Sequence, residues 1–399
     1  MARSTPTHAV DWDPLAPDSL TDPHGTYADL RGRCPVAWSD RWDGFWTLTR
    51  YADVVKVAGD PRTFISSVQN LVPKSPRTGL SRKPLSSDPP EHTVFRRVLN
   101  EHFAEERVAR LDPAFRSVVA RYLEPFLERS GGEAMEEVIR HLPVRGVGLW
   151  LDVPESEAEW IQSRSTRYVA ALAENDRELA DSLSAELDVY ARALVARRKT
   201  EGRPAAADAV TGLLHTRIQG EPIPDEWVAG SVRMVIVAAD RSTAAGAGFA
   251  LEWLARDEEL QDRLRRDPGQ IRDAIEELLR LGSPSQLLVR TATRDTEIGG
   301  RSIGEGEAVA MQFKAANRDP EVFEDPDAFR LDRKFKRHLA FGHGIHKCAG
   351  AQLARLELRV VLEEFLARTR SFRLAGEVPH TRWPEYGPAL LPLRTETTE

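Results

Sequence analysis

The pattern of apolar and polar positions predicts a chain made mainly of helices. Several amphipathic runs follow one another over residues 113–214, with breaks at residues 131–132, at Pro154 and at residues 202–204. Glycine and proline commonly mark helix boundaries, so these breaks separate successive helices. The run at residues 174–198 is charged on one face and apolar on the other, which is typical of a helix with one side on the core.

The longest predicted helix covers residues 225–257 and follows Pro222 and Pro224. At about 1.5 Å per residue it would extend roughly 50 Å, enough to cross a domain. Its centre, residues 238–248, is crowded with Ala, Ser, Thr and Gly. Such a stretch indicates either close helix packing or a face against which a flat cofactor can lie.

Two further helices are predicted at residues 271–281 and 351–368, the second apolar over most of its circumference and therefore largely buried. Residues 45–49 alternate in the manner of a short strand, and further short strands lie around Gly299-Gly300. No repeat, linker or composition shift divides the chain. The pattern thus predicts one domain over residues 1–399, mainly α with a minor antiparallel β part.

Composition and charge narrow the class of protein. The chain has 399 residues, of which 41% are hydrophobic and 29% charged, an ordinary globular composition. Its formal charge of -7 argues against nucleic acid as the main partner. Two cysteines give no disulfide framework, and neither a signal segment nor an apolar run long enough to span a membrane is present. We therefore expect a cytoplasmic protein without a membrane anchor.

The candidate chemistry centres on residues 341–350, where Cys348 lies in a loop with three glycines just before a predicted helix. A thiolate at a helix start is stabilised by the helix dipole and free N–H groups, and glycines let the backbone approach something flat. An axial thiolate ligand to haem iron fits best. A lone cysteine is more often an inert core residue, and a zinc site with His343 and His346 would have its ligands too close together.

The ten residues Phe341-Gly342-His343-Gly344-Ile345-His346-Lys347-Cys348-Ala349-Gly350 match F-G-x-G-x-H-x-C-x-G at every fixed position. In this the chain resembles the cytochrome P-450 family of haem-thiolate monooxygenases. The resemblance implies that family's fold, with haem b (iron protoporphyrin IX) between the long central helix and the helix after the cysteine loop. Cys348 would be the axial metal ligand, in a loop shaped by Phe341, Gly342 and Gly350.

The resemblance also implies the residues that hold the haem. Asp88-Pro89-Pro90-Glu91-His92, with Arg96 four residues after the histidine, matches the family's pattern for binding haem propionates. Arg290 and His346 would complete this cofactor-binding set, and Ala238 would face the haem from the central helix. The polar loop at residues 66–83 would lie over the substrate pocket.

Glu277 and Arg280 form the family's E-x-x-R pair, with Arg333 as the third member. On spacing alone the pair could be an ordinary surface pair worth a few tenths of a kcal/mol. The resemblance implies a buried structural scaffold for the haem loop.

The oxygen-activating stretch departs from the family. The aligned residues are Ala238-Ala239-Asp240-Arg241-Ser242-Thr243, with arginine in place of the usual acid and serine in place of threonine. Ser242, with Thr243, keeps a hydroxyl for handling oxygen, but an arginine cannot relay protons as a carboxylate does. Arg241 also requires a nearby anion or water, because an unpaired buried charge is costly.

Two interpretations of Arg241 stay open. It could turn outward and pair with another helix, or it could face the pocket and bind a substrate carboxylate or order an atypical reaction. In the second case Arg233 would extend the cationic site. The candidate substrate contacts are Arg233, Val237, Arg241 and Leu287.

We therefore predict a monooxygenase-type oxidoreductase that acts on a small organic molecule of secondary or catabolic metabolism. An anionic substrate is one candidate class, if Arg241 faces the pocket. The alternatives are oxidative aromatic coupling, peroxide-driven oxidation without oxygen insertion, and a non-catalytic haem sensor. No flavin or Rossmann fingerprint occurs, so a ferredoxin-type donor with its reductase is implied, and the protein is expected to act as a monomer. The predicted docking cations are Arg330, Arg333, Lys334, Lys336, Arg337 and Lys347.

Overall fold

The computed structural model describes residues 8–74, 79–334, 337–381, 383 and 385–398. Helices dominate these residues, and the strands form small sheets at the periphery of the helical core. The α-helices are α1 Pro17–Thr21, α2 Pro23–Arg33, α3 Tyr51–Gly59, α4 Glu91–His102, α5 Glu105–Ala109, α6 Asp112–Glu128, α7 Ala134–Glu137, α8 Leu142–Leu151, α9 Glu155–Ala173, α10 Arg177–Glu201, α11 Ala209–His215, α12 Asp225–Ala255, α13 Glu258–Arg266, α14 Ile271–Gly282, α15 Phe313–Ala316 and α16 Ala351–Arg368.

The strands are short and mostly antiparallel. They are β1 Val36–Ser39, β2 Phe45–Leu48, β3 Phe64–Ile65, β4 Gly131–Glu133, β5 Arg217–Ile218, β6 Glu221–Pro222, β7 Leu287–Ala292, β8 Thr296–Ile298, β9 Arg301–Ile303, β10 Ala308–Gln312, β11 Thr369–Leu374 and β12 Pro392–Thr397. The largest sheet has the order β1-β2-β10-β7-β3, and its β10–β2 pairing is parallel. The predicted class is confirmed, with this one parallel pair added.

The central helix α12 begins after Pro224 with Asp225 and Glu226 in its first turn, where acids favour a helix start. It packs against α8, α9, α10, α14 and α16, so it is the axis of the helical core. Among the described residues only α12 is long and apolar enough to cross a membrane by length and composition, and 67% of its most apolar window is buried within the protein. A helix buried in the core of a protein can meet the same criteria of length and composition.

The run predicted at residues 174–198 is α10, which begins three residues later than the pattern suggested. Asn175 has a φ of 58°, a left-handed conformation that ends α9. The Asp176 carboxylate then accepts a hydrogen bond from Leu179 N and caps α10. The turn between α9 and α10 is therefore defined by local backbone chemistry, and it places both helices across α12.

Candidate active site

The cysteine loop is closed by a hydrogen bond from Cys348 N to Phe341 O, 2.8 Å long. Gly342 and Gly344 have φ values of 71° and 69°, which side-chain-bearing residues rarely adopt. A Cβ atom at Gly344 would also lie 2.0 Å from the carbonyl oxygen of Ala58 in α3. Gly342 and Gly344 are thus required by the turn, and Gly344 also by its contact with α3.

The Cys348 side chain is exposed, but the surface it presents opens into an internal cavity. The surrounding protein raises the pKa of this thiol through burial, while the N–H of Gly350 and the charge of Arg96 act in the opposite direction. Helix α16 begins at Ala351, directly after this N–H group. The loop therefore presents one sulfur atom, next to a helix start, to the cavity.

The cavity has a volume of about 360 Å³ and lies between the cysteine loop and α12. One face of α12 lines it with small side chains, which leaves room for a flat group. These residues are Ala238, Ala239, Ser242, Thr243 and Gly246, and Val237 lies beside them. Ser242 Oγ donates to Ala238 O at 3.2 Å, so the oxygen of this hydroxyl stays available as an acceptor.

His92 and His346 meet beside the loop with their ring centroids 4.2 Å apart. Within the described part of the chain, both ring nitrogens of His92 and Nε2 of His346 are buried without a hydrogen-bond partner. Burial, followed by the charge of Arg96, lowers the pKa of His92 to about 4. Unpaired buried nitrogen atoms are costly, so these rings are suited to an acceptor supplied by a ligand.

Two arginines adjoin these histidines. Arg290 is buried, and the one hydrogen bond that the described residues show for its side chain is to Val289 O at 2.8 Å. Burial lowers its pKa to about 10. Arg96 donates to Asn100 Oδ1 at 2.7 Å and to the carbonyl oxygens of Ile345 and Lys347, and it also lines the cavity. Arg96 thus anchors the cysteine loop to α4.

Together these groups fit a porphyrin with two carboxylates. The sulfur of Cys348 lies opposite the small-residue face of α12, across a cavity wall that is mostly apolar. The unpaired ring nitrogens and the buried guanidinium of Arg290 are the donors that propionate groups need. The residues present therefore suit haem as the resident cofactor.

Arg241 lines the cavity, and its Nε lies 3.8 Å from Oε2 of Glu385. Glu385 belongs to the C-terminal segment and also lines the cavity. Burial raises the pKa of this carboxyl, and the nearby Arg241 acts in the opposite direction. The sequence indicated that Arg241 needs an anion, but Glu385 itself was missed, because only the folded chain brings it to α12.

Asp240 does not join this group. Its Oδ2 accepts hydrogen bonds from Ser165 Oγ at 2.7 Å and Thr166 Oγ1 at 3.1 Å, both on α9. Burial raises the pKa of Asp240. Successive residues on a helix point about 100° apart, which explains why Asp240 joins α12 to α9 while Arg241 faces the cavity.

Leu287, predicted as a substrate contact, does not line the cavity. It packs with Trp12, Tyr27 and Phe45 on the other face of the sheet. Leu288, the next residue along β7, lines the cavity instead. Successive side chains of a strand point to opposite faces of the sheet. An error of one residue in position therefore moves the predicted side chain from the cavity face to the opposite face.

Glu277, Arg280 and Arg333 form one buried cluster. Arg280 Nη2 donates to Glu277 Oε1 at 2.8 Å, and Arg333 Nε donates to the same oxygen at 2.9 Å. The two arginines also donate to carbonyl oxygens of the segment before the cysteine loop, at Asn317, Glu324, Pro326 and Ala328. The cluster therefore ties this segment to α14.

A second ion-pair group joins α14 to α16. Glu276 Oε1 accepts from Arg355 Nε at 2.7 Å, and Glu276 Oε2 lies 3.1 Å from His338 Nε2. Burial alone would raise the pKa of Glu276, but the hydrogen bonds from Arg355 and His338 lower it to about 2. The carboxylate form is thus favoured by folding.

This pKa predicts how stability changes with pH. Ionised Glu276 stabilises the fold fully above its unfolded pKa of 4.5, and this contribution is lost as pH falls toward its folded pKa of about 2. The free energy of unfolding of Glu276→Gln should therefore lie furthest below that of the wild type above pH 4.5. Urea unfolding of both proteins across this range measures the difference, and a gap independent of pH would contradict the assignment.

The predicted docking surface for an electron donor is smaller than the sequence suggested. Arg333 is buried on Glu277, and Arg330 pairs with the exposed acids Glu324, Asp325 and Asp332. Lys336 lies outside the described residues. The exposed cations of the set are Lys334, Arg337 and Lys347.

Comparisons with known proteins agree with this geometry. A family model described as Cytochrome P450 matches residues 165–383. The chain is 32% identical over 361 residues to Cytochrome P450 109 of Bacillus spizizenii, covering 89% of this chain and 86% of that protein. It is 30% identical to the 20-oxo-5-O-mycaminosyltylactone 23-monooxygenase of Streptomyces fradiae, covering 94% and 89%. The structure of CYP109Q5 from Chondromyces apiculatus superposes with a TM-score of 0.87 at 29% identity, covering 97% and 98%.

Proposed function

The chain belongs to the cytochrome P450 family of haem-dependent monooxygenases, and we propose that it oxidises a small organic molecule of secondary or catabolic metabolism with haem b as its cofactor. The observation that carries the proposal is the position of Cys348, whose sulfur lies at a helix start and opens into the cavity beneath α12. We also propose that residues 1–399 form one domain acting as a monomer in the cytoplasm.

In this proposal Cys348 would provide a thiolate ligand to the haem iron, and His92, Arg96, Arg290 and His346 would hold the propionates. Bound haem supplies the activation of dioxygen. Phe341, Gly342 and Gly350 shape the loop around the sulfur, and Ala238 provides the small surface that lets the porphyrin lie against α12. The mostly apolar cavity wall orients the substrate and excludes water.

Proton handling is assigned to two groups of the cavity wall. The Ser242 hydroxyl, next to Thr243, can pass a proton through Oγ. The carboxyl that α12 lacks at position 241 is available on Glu385, whose Oε2 lies in the cavity wall 3.8 Å from Arg241 Nε and can accept a proton there. The pairing of Arg241 with Glu385 supports ordinary oxygen insertion over aromatic coupling, peroxide-driven oxidation or haem sensing.

The electrons are proposed to come from a ferredoxin-type protein with its reductase. The sequence contains no flavin or Rossmann fingerprint, so the chain has no recognisable electron source of its own. Lys334, Arg337 and Lys347 are exposed near the cysteine loop and could attract an acidic donor.

The carbon monoxide spectrum of the reduced holoprotein tests the proposed function. The red-shifted band of a thiolate-ligated haem is expected, together with oxygen consumption when reductant and a bound ligand are supplied. A spectrum without that band would reject thiolate ligation. The band without consumption of oxygen or peroxide, with any reductant, would favour a haem sensor.

A further inference from the structure

Two arginines and a tyrosine meet in the wall of the cavity, on the side formed by α9 and α12. Arg82 Nη2 donates to the hydroxyl of Tyr168 at 3.1 Å. The guanidinium carbon of Arg233 lies 4.9 Å from the centroid of the Tyr168 ring, and that of Arg82 lies 5.9 Å from it. All three residues line the cavity. Tyr168 thus brings two guanidinium groups to one place.

Arg233 has more donors than its surroundings use. It is 1% exposed, and its Nη2 donates to Ser184 Oγ at 3.3 Å. Its Nε forms an ion pair with Oδ1 of Asp188 at 3.3 Å, but this contact does not have the geometry of a hydrogen bond. Oδ2 of Asp188 is already occupied by the backbone N–H of Leu80 at 2.7 Å. A guanidinium has five donors, so this site is suited to a further acceptor.

The neighbourhood of two like charges supports the same conclusion. Burial lowers the pKa of Arg233 and the charge of Arg82 lowers it further, while Tyr168 and Asp188 act in the opposite direction. Grouping cations in a desolvated wall costs free energy, and such an arrangement is typical of a ligand site. Away from these groups the cavity is lined mainly by aliphatic side chains such as Leu85, Val169 and Leu172.

We propose that Arg82, Tyr168 and Arg233 bind the carboxylate of an acidic substrate whose apolar body extends through the cavity toward Cys348. This assignment rests on the proposed function and names its substrate class. It also places the anion site at a different group of residues from Arg241, the position that the sequence had indicated. The planar forks of the two arginines match the geometry of a carboxylate, with the Tyr168 hydroxyl as a further polar contact.

The test compares acids with their methyl esters on the haem-loaded protein. Phenylpropanoic acid, phenylhexanoic acid and both esters are titrated while the ligand-induced spin-state shift of the Soret band is recorded. Each acid should bind about tenfold to hundredfold more tightly than its ester, since charge-assisted hydrogen bonds contribute about 1.5–3 kcal/mol. Arg82→Gln and Arg233→Gln should each remove most of this preference, because they weaken binding of the acids more than binding of the esters.

Arg192→Gln is the matched control, because Arg192 lies on α10 but is exposed and pairs with Glu226 outside the cavity. It should keep the full preference for acids. If Arg233→Gln does not fold, the half-buried Arg82 carries the test. Equal affinity for acid and ester in the wild type, or an intact preference in Arg82→Gln, would overturn the assignment. Failure of the proposed function is distinct, since it appears as a missing carbon monoxide band before any ligand is added.

Discussion

Replacing Cys348 by serine is expected to abolish turnover and the red-shifted carbon monoxide band while leaving a protein that still binds haem. The thiolate is the electron-rich ligand on which this chemistry depends, and a serine hydroxyl does not ionise in its place. The unpaired nitrogens of His92 and His346 and the buried Arg290 are separate from the sulfur, so the proposed propionate contacts should persist. Haem content, the spectrum and substrate oxidation measure the three effects.

Cys34→Ser provides the matched control, because it makes the same chemical change at the only other cysteine of the chain. Cys34 is half-buried, and its Sγ donates to the carbonyl oxygen of Val36 at 3.4 Å, a bond that a serine hydroxyl can also make. Its spectrum and turnover should match the wild type. Survival of the band in Cys348→Ser would show that another residue ligates the iron.

The helices around the cofactor could be predicted because their signals are local. The apolar run after Gly350 defined α16 over its full length, and the prolines before Asp225 defined the start of α12. The loop motif likewise needed only ten adjacent residues, and the observed φ angles require glycine at Gly342 and Gly344. Such features depend on interactions between residues that are close in sequence, so they can be predicted from the sequence alone.

The polar groups facing the cavity could not be predicted in the same way. Arg241 indicated that an anion was needed, but Glu385 comes from a distant segment with no motif of its own. Arg82 and Tyr168 were also missed, since only the packing of the loop against α9 brings them together. The error at Leu287 arose because strand register decides which side chain reaches the cavity. The arrangement of polar groups in the cavity wall thus depends on contacts between segments that are distant in sequence.

Arg333→Ala is expected to lower the free energy of unfolding by about 1.5–3 kcal/mol, because the hydrogen bonds of Arg333 to the buried Glu277 carboxylate are lost while Arg280 keeps that carboxylate paired. Glu277 would keep Arg280 but lose the donors of Arg333, and the segment before the cysteine loop would lose its contacts at Glu324 and Ala328. Haem retention should therefore decrease together with stability. Urea unfolding and the haem content after gel filtration measure the two effects.

Arg330→Ala is the control for charge, since Arg330 is three residues away but its side chain pairs with exposed acids, which contribute little in solvent. It should unfold nearly as the wild type does, and an equal loss in both variants would contradict the role of burial.

Arg333→Lys separates charge from geometry. Lysine keeps the positive charge beside Glu277 but cannot reproduce the planar fork that reaches the Glu324, Asp325 and Ala328 carbonyl oxygens. Its stability should lie between the wild type and Arg333→Ala, because the carboxylate stays paired while the loop segment is released.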